Sequence, residues 1–177
     1  MIAYAAAALL LASGAAAETF TPLPVLGSTQ LDLDTQDGHY CGWFVDDLGP
    51  VNALRTTLQV HRRGSDPKWV PSFSITLKNG DKRVSLNIWA PLPALPMVVR
   101  VEQPGDKPDE VGQLLGKLDM DTPVDVAIDW TADGQVTIRA GGQTATASLG
   151  APVKSLEITG STGEIEFNPL QIGTAAP

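Results

Sequence analysis

The sequence predicts an all-β domain built as an antiparallel β-sandwich, and three observations support this fold class. After residue 17, glycine and proline interrupt the chain so often that the longest run without them is 51–63, which excludes long helices. Hydrophobic residues recur with a period of two, the spacing of half-buried strands. Turn-forming residues separate these segments at intervals of about 8–12 residues, the spacing expected of a sandwich or barrel. A parallel sheet would need crossover helices, and none is predicted.

The first half of the chain contains one segment that also admits a helix. Leu54, Leu58 and Val60 belong to a period-two alternation that predicts a strand, although Leu54 and Leu58 are also four residues apart, as on a helix face. Further along, Asn79-Gly80 separates two alternating segments, and this dipeptide is a strong hairpin signal because both residues tolerate positive φ. The strands predicted in this half are Gln30–Asp34, Gly42–Asp46, Leu54–Val60, Phe73–Leu77, Val84–Trp89 and Val98–Glu102.

The second half contains the clearest hairpin. Val126, Ile128 and Trp130 share one face, residues 132–134 (Ala-Asp-Gly) form a turn, and the chain returns in a second alternating segment. Residues 160–163 (Gly-Ser-Thr-Gly) are expected to split the last two strands by a turn. The strands predicted in this half are Val124–Trp130, Val136–Arg139, Thr144–Leu149, Leu156–Ile158 and Ile165–Phe167.

The composition is that of a globular protein and excludes several classes of function. Of the 177 residues, 43% are hydrophobic and 18% are charged, which suits one folded domain. The net charge of −8 works against nucleic acid as a partner, because phosphates attract cationic surfaces. The single cysteine, Cys41, excludes an intramolecular disulfide and a site built from several thiolates. It is expected to be a small buried residue.

Residues 1–17 carry no charged side chain and end in small residues that satisfy the Ala-x-Ala cleavage rule. They predict a secretory signal peptide cleaved after Ala17, which leaves residues 18–177 as a single domain. A spanning helix needs a longer and more strongly apolar segment, so no transmembrane anchor is expected after cleavage. The expected destination is the periplasm or the external medium, and the style of the signal peptide fits a bacterial chain.

Residues 124–173 resemble a known superfamily. Residues 124–139, Val-Asp-Val-Ala-Ile-Asp-Trp-Thr-Ala-Asp-Gly-Gln-Val-Thr-Ile-Arg, resemble the paired back strands of concanavalin A-like, laminin G-like jelly rolls, and residues 163–173 are similar to their closing strand. The resemblance implies a jelly-roll β-sandwich of the concanavalin A-like lectin and glucanase superfamily. Its members include lectins, adhesion modules, glycoside hydrolases and polysaccharide lyases, so it indicates a fold rather than a site.

The function favoured on this basis is a non-catalytic module that binds a polysaccharide or a partner on the cell surface or envelope. Flat aromatic rings stack on sugars, and exposed aromatics dominate binding surfaces. Trp69 and Trp89 flank predicted strand ends and are the expected ligand-binding residues. Trp43 and Trp130 are expected in the core. A purely structural envelope protein is an alternative function.

A polysaccharide lyase of the same fold is the main catalytic alternative, centred on Arg55, Gln59 and His61. The run Gln59-Val60-His61 resembles the Gln-Ile/Val-His element of an alginate-lyase family, and Arg55 lies on the same strand face. That family's tyrosine-rich motif has no counterpart, and the net charge of −8 disfavours a polyuronate substrate. A glycoside hydrolase is less favoured, because Glu164 and Glu166 share a strand face without the third acid of the Glu-x-Asp-x-x-Glu signature.

Asp32, Asp34 and Asp37 supply three carboxylates just before Gly38, and hard oxygen ligands of this kind suit calcium. The spacing is not that of an EF-hand. Because Asp32 and Asp34 alternate with leucines, the pattern favours an exposed strand face entering a turn. No cofactor is implied by the sequence, and calcium is the metal that it leaves open.

Overall fold

A computed structural model describes residues 18–22, 29–65, 68–90, 95–106 and 112–175, and this part of the chain is all-β. It contains eleven strands and no helix, and therefore no helix long and apolar enough to cross a membrane. The predicted signal peptide, residues 1–17, lies outside the described residues. The strands are β1 (Thr19–Pro22), β2 (Leu31–Val45), β3 (Ala53–Arg63), β4 (Ser72–Asn79), β5 (Lys82–Trp89), β6 (Met97–Glu102), β7 (Gln113–Leu118), β8 (Val124–Trp130), β9 (Gln135–Ala140), β10 (Gln143–Ser148) and β11 (Ser155–Thr174).

The strands form two antiparallel layers that share two long strands. In β11, Ser155 to Ser161 pair with β4, whereas Gly163 to Gly173 pair with β3. Strand β2 follows β11 on its other side through both layers. The front sheet therefore has the order β2-β11-β4-β5-β6-β7, and the back sheet has the order β10-β9-β8-β3-β11-β2, with β1 also beside β11. The predicted antiparallel β-sandwich is confirmed.

Strand β11 passes from one layer to the other at Thr162. This residue has a positive φ of 56°, its side chain is fully buried, and the pairing with β2 changes register there. The Gly38 amide donates to Thr162 Oγ1 (3.2 Å), and the Gly64 amide donates to the Thr162 carbonyl (2.8 Å). Because a β-branched residue seldom adopts positive φ, these two hydrogen bonds stabilise an otherwise unfavourable corner.

The prediction of a turn at residues 160–163 is wrong. The two glycines of this segment allow close packing of neighbouring strands rather than reversal of the chain. A Cβ atom on Gly160 would lie 3.1 Å from Phe73 Cδ1, and one on Gly163 would lie 2.6 Å from the Arg62 carbonyl oxygen. The two strands predicted on either side of this segment are one continuous strand, β11.

The core lies between the two sheets and follows the predicted alternation. Leu54, Leu58 and Val60 are almost completely buried on one face of β3, so the helical alternative for residues 51–63 is wrong. The predicted hairpin joins β4 to β5, but Asn79 is the last residue of β4 and pairs with Lys82. The two-residue turn is therefore residues 80–81, with Gly80 at a φ of 59°.

Candidate functional site

The outer face of the front sheet is recessed. Thr76 on β4, Ser85 on β5 and Thr159 on β11 alternate with core residues and point away from the core, yet they are only 6%, 5% and 8% exposed. A cleft of about 440 Å³ lies over them, with walls from β2, β4, β5, β6 and β11. Since ligand sites are concave, this face is the candidate binding surface, and it is called the front cleft below.

Hydroxyl groups form the floor of the front cleft. Ser74 Oγ and Thr159 Oγ1 are 2.7 Å apart, and Thr76 Oγ1 and Ser85 Oγ are 3.0 Å apart. Each of these hydrogen bonds uses one of the two O–H donors of its pair, and Thr159 also hydrogen-bonds with Tyr40, so the Thr76–Ser85 pair retains one donor. Asn87, the next outward residue of β5, adds an amide to the lining. The floor therefore offers both donors and acceptors to a ligand.

The β2 side of the front cleft combines aromatic rings with an ion pair. Tyr40 and Phe44 lie on the outer face of β2 and are 61% and 55% exposed; Tyr40 lines the cleft, and Phe44 lies on the same face beyond its lining. The Tyr40 hydroxyl donates to Glu157 Oε1 (3.2 Å), and Lys78 Nζ donates to Glu157 Oε2 (3.0 Å). This side thus presents apolar ring faces next to oriented polar groups, a combination that suits ligand recognition.

On β5 and β6 the same outer face carries Trp89, Arg100 and Glu102. The Arg100 Cζ atom lies 4.8 Å from the centre of the Trp89 ring, a cation–π contact, and Arg100 Nη2 lies 2.5 Å from Glu102 Oε1. Trp89 Nε1 and Arg100 Nε are buried and have no hydrogen-bond partner within the described part of the chain. Trp89, predicted to bind ligand, is the last residue of β5, and its ring is half-buried against Arg100 at the end of the outer face of the front sheet.

The other tryptophans differ in exposure. Trp69, the second predicted ligand-binding residue, is 53% exposed in the segment that leads into β4. Strand β4 begins at Ser72, which is in register with Trp89, so Trp69 and Trp89 lie at the same end of the front sheet. Trp130 is buried, and Trp43 packs against the core, as the sequence predicts for both.

The residues of the catalytic alternative lie in the back sheet. Arg55, Gln59 and His61 share the outer face of β3, in the layer opposite the front cleft. Arg55 Nη2 lies 2.6 Å from Asp129 Oδ1, and Gln59 Nε2 donates to the Asp121 carbonyl (3.1 Å). All three side chains are on one face, as the pattern predicts, and each contacts another group of the protein.

His61 lies between two carboxylates. Its Nε2 is 3.1 Å from Glu166 Oε2, and its Nδ1 is 3.2 Å from Asp121 Oδ1. Hydrogen bonding to Glu166 raises the pKa of His61, and the bond to Asp121 raises it further. Hydrogen bonds from Asn168 and then from His61 lower the pKa of Glu166. The folded protein therefore favours the protonated imidazole.

This histidine is expected to make stability depend on pH. Because the folded-state pKa is raised, the contribution of His61 is complete below its unfolded pKa of about 6.5 and is lost as the pH rises through the folded value. We expect His61→Gln to lower the free energy of unfolding by about 0.2–1 kcal/mol near pH 5.5, and by less near pH 8.5. Urea unfolding at both pH values measures this difference.

His39→Gln is the matched control, since His39 Nδ1 contacts the backbone carbonyl of Asp37 rather than a carboxylate. Its change in stability at each pH is the reference with which that of His61→Gln is compared. A His61→Gln variant whose deficit grows with pH would contradict the assignment.

The predicted calcium ligands Asp32, Asp34 and Asp37 are each bonded to other side chains. Gln30 Nε2 donates to Asp32 Oδ1 (3.1 Å), and Arg62 contacts both Asp34 (2.6 Å) and Asp37 (3.7 Å). Among the described residues, no three His, Cys, Asp or Glu side chains form a group that could hold a metal ion.

Several residues of the front cleft are absent from the sequence-based candidates, in particular Tyr40, Lys78, Asn87 and Glu157. The available signal was the outward half of each alternation, where Ser, Thr and Asn follow one another along β4 and β5. Nothing local indicates that this hydroxyl-rich face lies next to Glu157, because the two segments are far apart in the chain. Their proximity results from the pairing of β4 with β11.

Solved structures with this fold were found at low sequence identity. The CBM2 module of Lactobacillus casei BL23 phage J-1 evolved Dit is 14% identical, with a TM-score of 0.51 over 76% of this chain and 68% of that chain. A structure of A. japonicus CB05 is 12% identical, with a TM-score of 0.54 over 90% of this chain but 27% of that chain. The apo Crh5 transglycosylase is 13% identical, with a TM-score of 0.50 over 86% and 87%.

These likenesses establish the fold alone: the chain is an antiparallel jelly-roll β-sandwich, the fold that the resemblance of residues 124–173 implies. This chain spans about a quarter of the A. japonicus structure and most of the other two. No protein-family model and no curated protein matches the sequence.

Proposed function

We propose that this protein is a secreted, non-catalytic β-sandwich module that binds a glycan in the front cleft. The hydroxyl floor of the cleft, flanked by exposed rings and ion pairs, carries the proposal. Sugars present many hydroxyl groups on compact rings, so their recognition needs closely spaced donors and acceptors together with an apolar face. Secretion rests on the apolar segment 1–17 that ends in small residues.

The fold neighbours are compatible with a binding role but include proteins of more than one kind. One is a CBM2 module and another is a transglycosylase. Because these similarities concern the fold, the proposed ligand class rests on the residues of the front cleft.

The non-catalytic role is supported by what two of the three acidic groups that line the cleft contact. Glu157 accepts hydrogen bonds from Tyr40 and Lys78, and Glu102 pairs with Arg100. In these pairs the carboxylates act as acceptors that hold other polar groups in place, which suits orientation of a ligand. The histidine of the lyase alternative, His61, projects from the back sheet.

Retention of the purified protein on immobilised polysaccharides tests the proposal. We expect retention on at least one glycan without release of soluble oligosaccharide, with calcium and with chelator. Asn87→Ala and Tyr40→Ala should each weaken binding by roughly two- to tenfold, the value of one hydrogen bond or ring contact. Thr137→Ala, on the outer face of β9 in the back sheet, is the matched control and should bind as the unsubstituted chain does.

Each other outcome would correct a particular part of the proposal. Unchanged retention in both cleft variants would remove the site from the front cleft. Release of oligosaccharides that is lost in His61→Ala would favour the lyase instead. Absence of retention on every glycan would redirect the search to an envelope protein partner or a structural role.

A further inference from the structure

Arg83 lies where the front cleft meets a second depression. Asp81, Arg83 and Glu102 line the cleft, and they also line a depression of about 510 Å³ that continues over the turn at residues 103–106. Arg83 is exposed on the outer face of β5. It forms no hydrogen bond and no ion pair with any described residue. Its guanidinium group is therefore available at the centre of a continuous groove.

The residue directly opposite Arg83 is a second cation. Lys78 is its partner in the register of β4 and β5, and like charges at such positions destabilise a sheet. Lys78 contacts Glu157 at 3.0 Å, and Glu102 contacts Arg100 at 2.5 Å, so both glutamates are paired with other cations. Asp81 is the remaining carboxylate that lines both depressions, and an anionic ligand at Arg83 must outweigh its repulsion. Two like charges opposite each other, one of them without a partner in the protein, do not favour folding. Such local conflicts are expected at functional sites.

We propose that Arg83, with Lys78 beside it, binds an anionic substituent of the glycan, either a carboxylate or a sulfate group. This inference rests on the proposed function and specifies the class of ligand. The planar guanidinium group can donate two parallel hydrogen bonds to such a group, which adds both affinity and orientation. Since the protein carries a net charge of −8, general electrostatic attraction to a polyanion is unfavourable, and binding must come from these local cations.

Affinity measurements with three soluble polymers test this inference: polygalacturonate carries carboxylates, dextran sulfate carries sulfates, and dextran is neutral. We expect one of the two acidic polymers to bind more tightly than dextran. Arg83→Gln should weaken that binding about tenfold or more, the effect of a lost charge-assisted contact. Arg83→Lys keeps the positive charge but not the two parallel N–H donors. Its affinity should therefore fall between those of the unsubstituted protein and Arg83→Gln. Arg139→Gln removes the same charge from the outer face of β9 in the back sheet and is the matched control.

Two results would overturn the inference and leave the proposed function intact. One is equal affinity of Arg83→Gln and the unsubstituted protein for the acidic polymers, while Asn87→Ala still weakens glycan binding. The other is an equal loss in Arg83→Gln and Arg139→Gln, which would assign binding to net charge. Failure of the unsubstituted protein to bind these polymers and every other glycan tested would overturn both. Circular dichroism of each variant confirms that it is folded.

Discussion

Replacing Phe167 by alanine is expected to lower the free energy of unfolding by about 3–5 kcal/mol. Phe167 is fully buried in β11, where it is in register with Leu31 of β2 and Leu58 of β3. Removal of the ring loses its transfer free energy and leaves a cavity that three hydrogen-bonded strands cannot close. Because whole domains are stable by only about 5–15 kcal/mol, the variant should be close to unfolding. Urea-induced unfolding followed by tryptophan fluorescence measures the change.

Phe44→Ala is the matched control, because Phe44 is 55% exposed on the neighbouring strand β2. Its stability should stay within about 0.5 kcal/mol of the unsubstituted protein, as for most surface substitutions. A loss of similar size in both variants would contradict the inward orientation of Phe167.

Replacing Gly163 by alanine is expected to destabilise the protein by about 1–3 kcal/mol through overpacking. The new Cβ atom would lie 2.6 Å from the Arg62 carbonyl oxygen and 2.9 Å from Phe73 Cζ. Gly163 is paired with β2 on one side and with β3 on the other, so the backbone of Arg62 has little freedom to move. Guanidinium chloride unfolding should show a lower midpoint with an unchanged slope.

Gly42→Ala provides the comparison within the same pair of strands. A Cβ atom there would lie 3.1 Å from Thr159 Cγ2 and 3.2 Å from Phe44 Cζ, which is the end of an exposed ring that can rotate. The remaining strain is offset in part by the lower entropy of the unfolded chain, worth about 0.4–1 kcal/mol for Gly→Ala. A larger loss of stability in Gly42→Ala than in Gly163→Ala would show that the backbone contact with Arg62 does not restrict the residue at position 163.

The strands and hairpins were predictable from the sequence because their signals are local. In β8, Val126, Ile128 and Trp130 are buried while the residues between them are not. This burial pattern follows the alternation of apolar and polar residues that is visible in the sequence of the strand. The hairpin between β4 and β5 was predictable for the same reason, since the positive φ of Gly80 is a property of a residue in the turn itself. The turn at 160–163 failed because glycine also serves close packing, which the sequence does not distinguish from chain reversal.

The sequence by itself determined the all-β class, the position of most strands and the residues that face the core. Only the tertiary structure decided where the candidate site lies. Alternation assigns a residue to the outer face of a strand, but both sheets have an outer face. The recess over Thr76 and Ser85 is walled by residues of five strands, which only the paired sheet brings together. The contacts of the front cleft join residues far apart in the chain: Ser74 and Thr159 are separated by 85 positions, and Tyr40 and Glu157 by 117. Such pairings depend on strand order and register, which are settled by the packing of the whole domain.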